Sequence, residues 1–236
     1  MNYILALVQG ISEFLPISSS GHLNLFQSIF GYTPSLSLDI FFHLATLVSV
    51  LFFFKSKIKD FFSKIPYIFV GTIPTILVVF LFKSQIDEIF QEANLLPYFF
   101  LITSLLLFLT KFTKQKNKKI TFKTAFLIGI FQSLAILPGV SRSGATIFAG
   151  LLFGLSTLDA FNFSFYLFIP AIFGAVILDY SAINFTPDFI FPFIICMFIG
   201  LLALSILKKS LISKNFWKFG FYTLALSFLL FFLIKN

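Results

Sequence analysis

Six apolar runs of about 18–20 residues, the length that carries a helix across a bilayer, fall at roughly 38–55, 66–83, 95–112, 160–178, 189–207 and 217–234. Lipid offers the backbone no hydrogen-bond partner, so a spanning segment closes its own bonds as a helix or joins a closed barrel. Runs of this length are helices; barrel strands are about half as long. Composition agrees. The chain is 58% hydrophobic and 11% charged, where a soluble domain carries about 25% charged residues. Its mean hydropathy is +1.01. The expected class is an all-α integral membrane protein with six transmembrane helices.

Two further apolar segments, about 3–30 and 124–155, are interrupted near their centres by PISSSG and PGVSRSG. Pro-Gly breaks a helix, and the apolar residues from Gly144 onward restart one. Irregular polar backbone survives at membrane depth only where protein buries it or it lines a wet cavity. Each segment is therefore expected to be a re-entrant helix–loop–helix hairpin.

Loop charge sets the orientation. Lysines fill loop 55–64 (Lys55, Lys57, Lys59, Lys64, against Asp60), loop 111–123 (Lys111, Lys114, Lys116, Lys118, Lys119, Lys123) and loop 208–218 (Lys208, Lys209, Lys214, Lys218). The other two loops are acidic, with Asp87, Glu88 and Glu92 in one and Asp179 and Asp188 in the other. Basic loops stay cytoplasmic. The six spans alternate consistently only if each hairpin returns to the face it entered, and both termini then lie outside. The net charge of +8 is thus a topology signal; no basic–aromatic surface for nucleic acid is present. Cys196 is the single cysteine, so there is no disulfide framework. The first residues carry no basic n-region or cleavage site, and the first apolar segment is expected to be retained.

The chain repeats itself at an offset of 123: Gln9 with Gln132, Ser18 with Ser141, Ser20 with Ser143, Gly21 with Gly144. The expected repeats are about 1–112 and 124–236, each a hairpin followed by three spans. Three is odd, so the second repeat enters from the opposite face. Such inverted repeats place a site near the midplane where two broken elements meet.

Glu13 and Arg142 are the acid and the base well inside the apolar body; Asp39 and Asp159 lie at span ends. An unpaired central charge costs about 2.5–3.5 kcal/mol or more. The hairpins must face each other or a polar cavity, if only to pin themselves together. Their neighbours exceed what a pin requires. Gln9 shares a helix face with Glu13, and Ser18, Ser19, Ser20 and His22 follow. Ser141, Ser143 and Thr146 surround Arg142. Helix N-termini near Gly21 and Gly144 would offer N–H groups to a phosphate, and the arginine fork matches its oxygens. A carboxylate beside an amide suits a hard divalent cation such as Mg2+ or Ca2+, and serine near histidine suits a nucleophile with its base. Together they point to phosphoryl chemistry on a lipid phosphate. His43 is assigned to packing or interhelical bonding, and Asp159 and Asn162 to helix caps. A flippase or anion transporter would need the same midplane anion site, but not the nucleophile, base and metal.

QGISEFLPISSSGHL (9–23) and LPGVSRSGATI (137–147) resemble the two signature regions of the undecaprenyl-diphosphate phosphatase family, of the bacitracin-resistance type, and the pattern of spans and hairpins is similar over essentially the whole length. The resemblance implies an inverted-repeat enzyme of the bacterial inner membrane, its active site opening to the outer face. The implied reaction is hydrolysis of undecaprenyl diphosphate to undecaprenyl phosphate, which recycles the carrier for peptidoglycan synthesis and confers bacitracin resistance. It implies a polyprenyl diphosphate substrate among membrane lipids and a divalent cation, and leaves a homodimer open. By the same resemblance Gln9 and Glu13 match the acidic, metal-binding motif, Ser19 the nucleophile and His22 the acid/base. Arg142 matches the pyrophosphate clamp, and Ser141, Ser143 and Thr146 its flanking hydrogen bonders; Ser18 and Ser20 are further expected substrate-binding residues. Gln9 stands where many members have Glu, so Glu13 is expected to carry more of the metal binding here.

Overall fold

The computed structural model describes residues 2–31, 36–114, 116–178 and 187–234, all in helices and connecting turns. Ten α-helices follow one another among the described residues: α1 (Asn2–Ser12), α2 (Ser19–Ile29), α3 (Leu36–Phe53), α4 (Ile58–Gln91), α5 (Leu96–Thr110), α6 (Phe122–Leu134), α7 (Arg142–Leu152), α8 (Thr157–Leu178), α9 (Ile190–Ile212) and α10 (Phe219–Ile234). Five segments, containing α4, α5, α8, α9 and α10, are long and apolar enough to cross a membrane. The sixth expected span is α3, whose apolar stretch Ile40–Phe53 is shorter.

The two interrupted segments are helix–turn–helix units, α1–α2 and α6–α7. Their helices have 11, 11, 13 and 11 residues. At 1.5 Å per residue they reach about 16–20 Å, well short of the roughly 30 Å hydrocarbon core. The sequence stops each first helix for visible reasons. Leu15-Pro16 bars α-helical backbone at the residue before proline, and Gly139 takes φ +100°, which a side chain would resist. Ser18 and Ser141 then restart the chain as N-caps, accepting from the Gly21 and Gly144 N–H groups at 3.4 and 3.1 Å.

The lysine loop 55–64 and the first acidic loop are largely helical, contrary to expectation. After one 3-10 turn at Lys55–Lys57, α4 runs 34 residues, taking in Asp60 and Lys64 at one end and Asp87 and Glu88 at the other. Pro66 and Pro74 sit inside it and Phe82 leaves helical φ/ψ. Hydropathy marks where a helix leaves lipid, not where it ends, and charged turns continue into water at no cost. Asp179 lies outside the described residues, and Asp188 occupies a 3-10 turn before α9.

Helix packing follows a crossed pattern. α1 packs on α9 and α6 on α4; α3 meets α8, and α5 meets α10. The α4–α6 crossing brings backbone to backbone: a Cβ on Gly129 would collide with the Gly71 carbonyl oxygen. Gly129→Ala is expected to separate these helices at a cost of roughly 1–3 kcal/mol or more, read as a lower thermal-aggregation midpoint in detergent. The largest buried cluster joins Phe14 of the first turn to Phe165 and Phe168 of α8 and Leu204 of α9. That cluster holds the first hairpin's turn against the helix facing the second.

Candidate active site

The turn after α1 presents Glu13, which is 7% exposed. Its carboxylate gathers four side chains. Arg142 donates from Nη2 to Oε1 at 2.7 Å. On Oε2, Gln9 donates from Nε2 at 2.9 Å, Ser19 from its hydroxyl at 2.6 Å, and His43 Nε2 lies at 3.0 Å. Gln9 reaches Glu13 because four residues bring them onto one helical face. Ser19 and Arg142 are each the first residue of a helix, α2 and α7, so the two restarted helices aim their opening residues at one carboxylate.

The guanidinium is held on its other side by aromatic faces. Its central carbon lies 4.1 Å from the Phe168 ring centroid and 5.6 Å from that of Phe165, a cation–π setting that replaces part of the lost hydration. Arg142 Nη1 and Gln9 Oε1 are buried without a hydrogen-bond partner in the structure. A buried unpaired donor and acceptor cost free energy unless a ligand completes them. One atom offers a hydrogen to an anion and the other a lone pair to a cation or donor.

The two loops are stitched to each other. Ser18 Oγ accepts from the Gly139 N–H at 3.0 Å, and Ser143 Oγ donates to the Phe14 carbonyl at 3.1 Å. Thr103 of α5 braces the second loop twice, donating to the Gly139 carbonyl at 2.7 Å and accepting from the Ser141 N–H at 2.9 Å. Thr146 bonds the Arg142 carbonyl at 2.8 Å and the Ser164 hydroxyl at 2.6 Å. Ser141 and Ser143 hydroxyls lie 3.3 Å apart, and Ser20 lies 3.5 Å from Ser18. Ser18, Ser141, Ser143 and Thr146 thus spend their hydroxyls on the scaffold that fixes the helix ends.

His22 stands apart from Ser19 chemically. Its Nδ1 meets the Ser18 carbonyl at 2.7 Å and its Nε2 meets the Tyr222 hydroxyl at 2.8 Å, with the two rings stacked at 5.7 Å. The group hydrogen-bonded to Ser19 is Glu13. His43, assigned from sequence to packing or interhelical bonding, makes the interhelical contact: it reaches Glu13 from α3. Its signal was present: it is an ionisable residue in the middle of an apolar run, which by default marks function. Tyr222 gave no such signal, because a tyrosine in an apolar helix commonly faces the interface with its polar tip wet. Ser156 and Asp159 do form a cap, with Ser156 accepting from the Asp159 N–H at 3.1 Å and donating to its carboxylate at 2.6 Å. Asn162 does not; it accepts from Lys57 Nζ at 3.2 Å.

No group of three or more His, Cys, Asp or Glu suited to a metal occurs among the described residues. A hard cation can still draw on Glu13 and Gln9 Oε1, taking its remaining ligands from phosphate oxygens and water, the usual manner of Mg2+. The residues fit a substrate-bridging cation rather than a protein-enclosed one.

In this all-helical membrane protein an interior arginine, serine and histidine thus converge on one carboxylate. The chain belongs to the family described as bacitracin resistance protein BacA, matched over residues 2–229. It is 40% identical over 239 residues to the undecaprenyl-diphosphatase of Methanococcus maripaludis strain C6, covering 95% of this chain and 96% of that one. It is equally 40% identical to the undecaprenyl-diphosphatase of Thermosipho africanus, covering 98% and 99%, and to that of Carboxydothermus hydrogenoformans, covering 85% and 82%.

Proposed function

We propose that this chain hydrolyses undecaprenyl diphosphate to undecaprenyl phosphate and inorganic phosphate. The observation that carries the reading is the shared carboxylate: Glu13 binds a serine hydroxyl through Oε2 and a guanidinium through Oε1. Family membership and relatives named undecaprenyl-diphosphatase support the same substrate. A transporter would need the anion site but has no use for a hydroxyl held at 2.6 Å from a carboxylate.

The terminal phosphate lies against Arg142 Nη1 and the open N–H groups of α2 and α7, with the lipid tail between the spans. Ser19 Oγ forms a bond to the terminal phosphorus while Glu13 Oε2 takes its proton. The bond from phosphorus to the bridging oxygen breaks, and undecaprenyl phosphate leaves. Water then attacks the phosphoserine, giving inorganic phosphate and returning the proton to Ser19. These are the positioning and electrostatic contributions that dominate phosphoryl transfer. Ser18, Ser141, Ser143 and Thr146 serve by fixing the two helix ends, and His22 with Tyr222 borders the α2 end. A divalent cation at Glu13 and Gln9 Oε1 would neutralise diphosphate charge. His43 holds Oε2 in place, so His43→Ala is expected to slow release about tenfold to a hundredfold. His43→Gln, which retains a donor, should recover most of that loss.

The internal repeats 1–112 and 124–236 are part of this reading. The reciprocal α1–α9 and α6–α4 packing supports them. The lysine-rich segments support placing both termini toward the outer face of the bacterial inner membrane, and the family resemblance supports an active site opening to that same face, where the product re-enters cell-wall synthesis and its renewal opposes bacitracin. The deciding experiment is phosphate release from undecaprenyl diphosphate by purified protein in detergent, with and without chelator. Vectorial transport is impossible there, so release of phosphate supports the enzyme and its absence in the presence of Mg2+ and Ca2+ sinks it.

A further inference from the structure

A cavity of about 260 Å³ has neither Glu13 nor Arg142 in its lining. Asp60 and Lys64 of α4, Asp159, Asn162 and Tyr166 of α8, and Lys119 ahead of α6 line it. Different residues of α8 serve the two places: Phe165 and Phe168 meet Arg142, whereas Asn162 and Tyr166 face this cavity. Its walls are fixed. Tyr166 donates to Asp60 Oδ2 at 2.8 Å, Ser156 donates to Asp159 Oδ2, and Lys57 fills the Asn162 carbonyl. The segment carrying Lys119 is docked by the Lys116 and Lys118 N–H groups, both on the Gly154 carbonyl at 3.3 and 3.0 Å.

Charges of both signs share this space without pairing. Among the described residues, neither the Lys64 nor the Lys119 side chain forms an ion pair or hydrogen bond. Asp60 and Asp159 each keep Oδ1 for a further donor. Lysines and carboxylates lining one small cavity, yet too far apart to meet, match a ligand with an anionic and a cationic end. Lys64 stands two residues ahead of the apolar run 66–83 that carries α4 into lipid, which sets the cavity at the level of lipid headgroups.

We propose that this cavity binds the headgroup of an aminophospholipid, with its phosphate on Lys64 and Lys119 and its primary amine on Asp60 and Asp159. The amine is specified by the two carboxylate oxygens, since a quaternary ammonium has no N–H to donate. The site is independent of the phosphatase reading, because none of its residues touches Glu13 or Arg142.

Native mass spectrometry of the detergent-released protein tests it, with phosphatidylethanolamine, phosphatidylcholine and phosphatidylglycerol added at equal concentration. Wild type is expected to retain phosphatidylethanolamine about tenfold more than the other two. Asp159→Asn should bring that preference to about unity, and Lys64→Gln with Lys119→Gln should lower retention of all three about tenfold. Both variants should keep near-wild-type phosphate release and melting temperature, which shows them folded. Equal retention of the three lipids by wild type, or an unchanged preference in the variants, overturns the proposal. Displacement of the lipid by an equal concentration of O-phosphoethanolamine would assign the cavity to a soluble zwitterion and overturn the lipid assignment.

Discussion

Arg142→Ala is expected to lower phosphate release by about 10³-fold or more, the scale on which an arginine that meets a transferring phosphoryl group acts. The residue has two jobs in the structure. Nη2 neutralises Glu13 and Nη1 is left for the anion. Arg142→Lys separates them: an ammonium can still face the carboxylate, but it cannot offer a second, coplanar donor to phosphate. Arg142→Lys should therefore insert and melt close to wild type while remaining at least about tenfold slow. Near-wild-type release by either purified variant would remove the clamp from the mechanism.

Glu13→Gln is expected to have a comparable effect for a different reason. The amide keeps the shape of the carboxylate but presents one oxygen instead of two, and it cannot take the Ser19 proton. Of the four side chains on Glu13, Arg142 loses most, because a buried guanidinium is left without its counter-charge, at a cost of about 3–5 kcal/mol. Release should fall about 10²–10⁴-fold, the usual scale of a lost general base. The melting temperature should fall with it. Ser19→Ala removes the proposed nucleophile while leaving the Glu13–Arg142 pair, so it should lose release with little change in melting. A phosphorylated Ser19 trapped in wild type by rapid acid quench, and absent from Ser19→Ala, would establish covalent attack. Retained release by Ser19→Ala would assign the attack to water.

Much of this site was readable from residue chemistry. Membrane burial makes every interior charge costly, so Glu13 and Arg142 stand out in the sequence and must find each other. The broken hairpins were readable for the same reason: Pro16, Pro138 and the serines cannot sit in lipid as regular helix. What the sequence did not reveal is which polar neighbour faces which. Ser19 and His22 are one helical turn apart and invite pairing, yet α2 turns His22 toward Tyr222, 200 residues later. His43 reaches Glu13 only through the packing of α3, for which no local pattern exists. Ser18, Ser141 and Ser143 were expected around the substrate; in the structure each also engages backbone groups that the broken helices would otherwise leave unsatisfied. The length of α4 escaped hydropathy because its ends lie beyond the apolar run.

The stitched loops carry a consequence for biosynthesis. Ser18 needs Gly139, Ser143 needs Phe14, and Glu13 needs Arg142. Ser19 and Arg142 are 123 residues apart, and at roughly 5–20 residues per second a ribosome takes on the order of 6–25 s to cover that distance. Throughout that interval the first hairpin has neither its counter-charge nor the carbonyl and amide contacts that close its turn. It cannot settle at its final depth before the second hairpin is made. The candidate active site is therefore a late product of insertion, assembled in one step when the two halves of the chain meet.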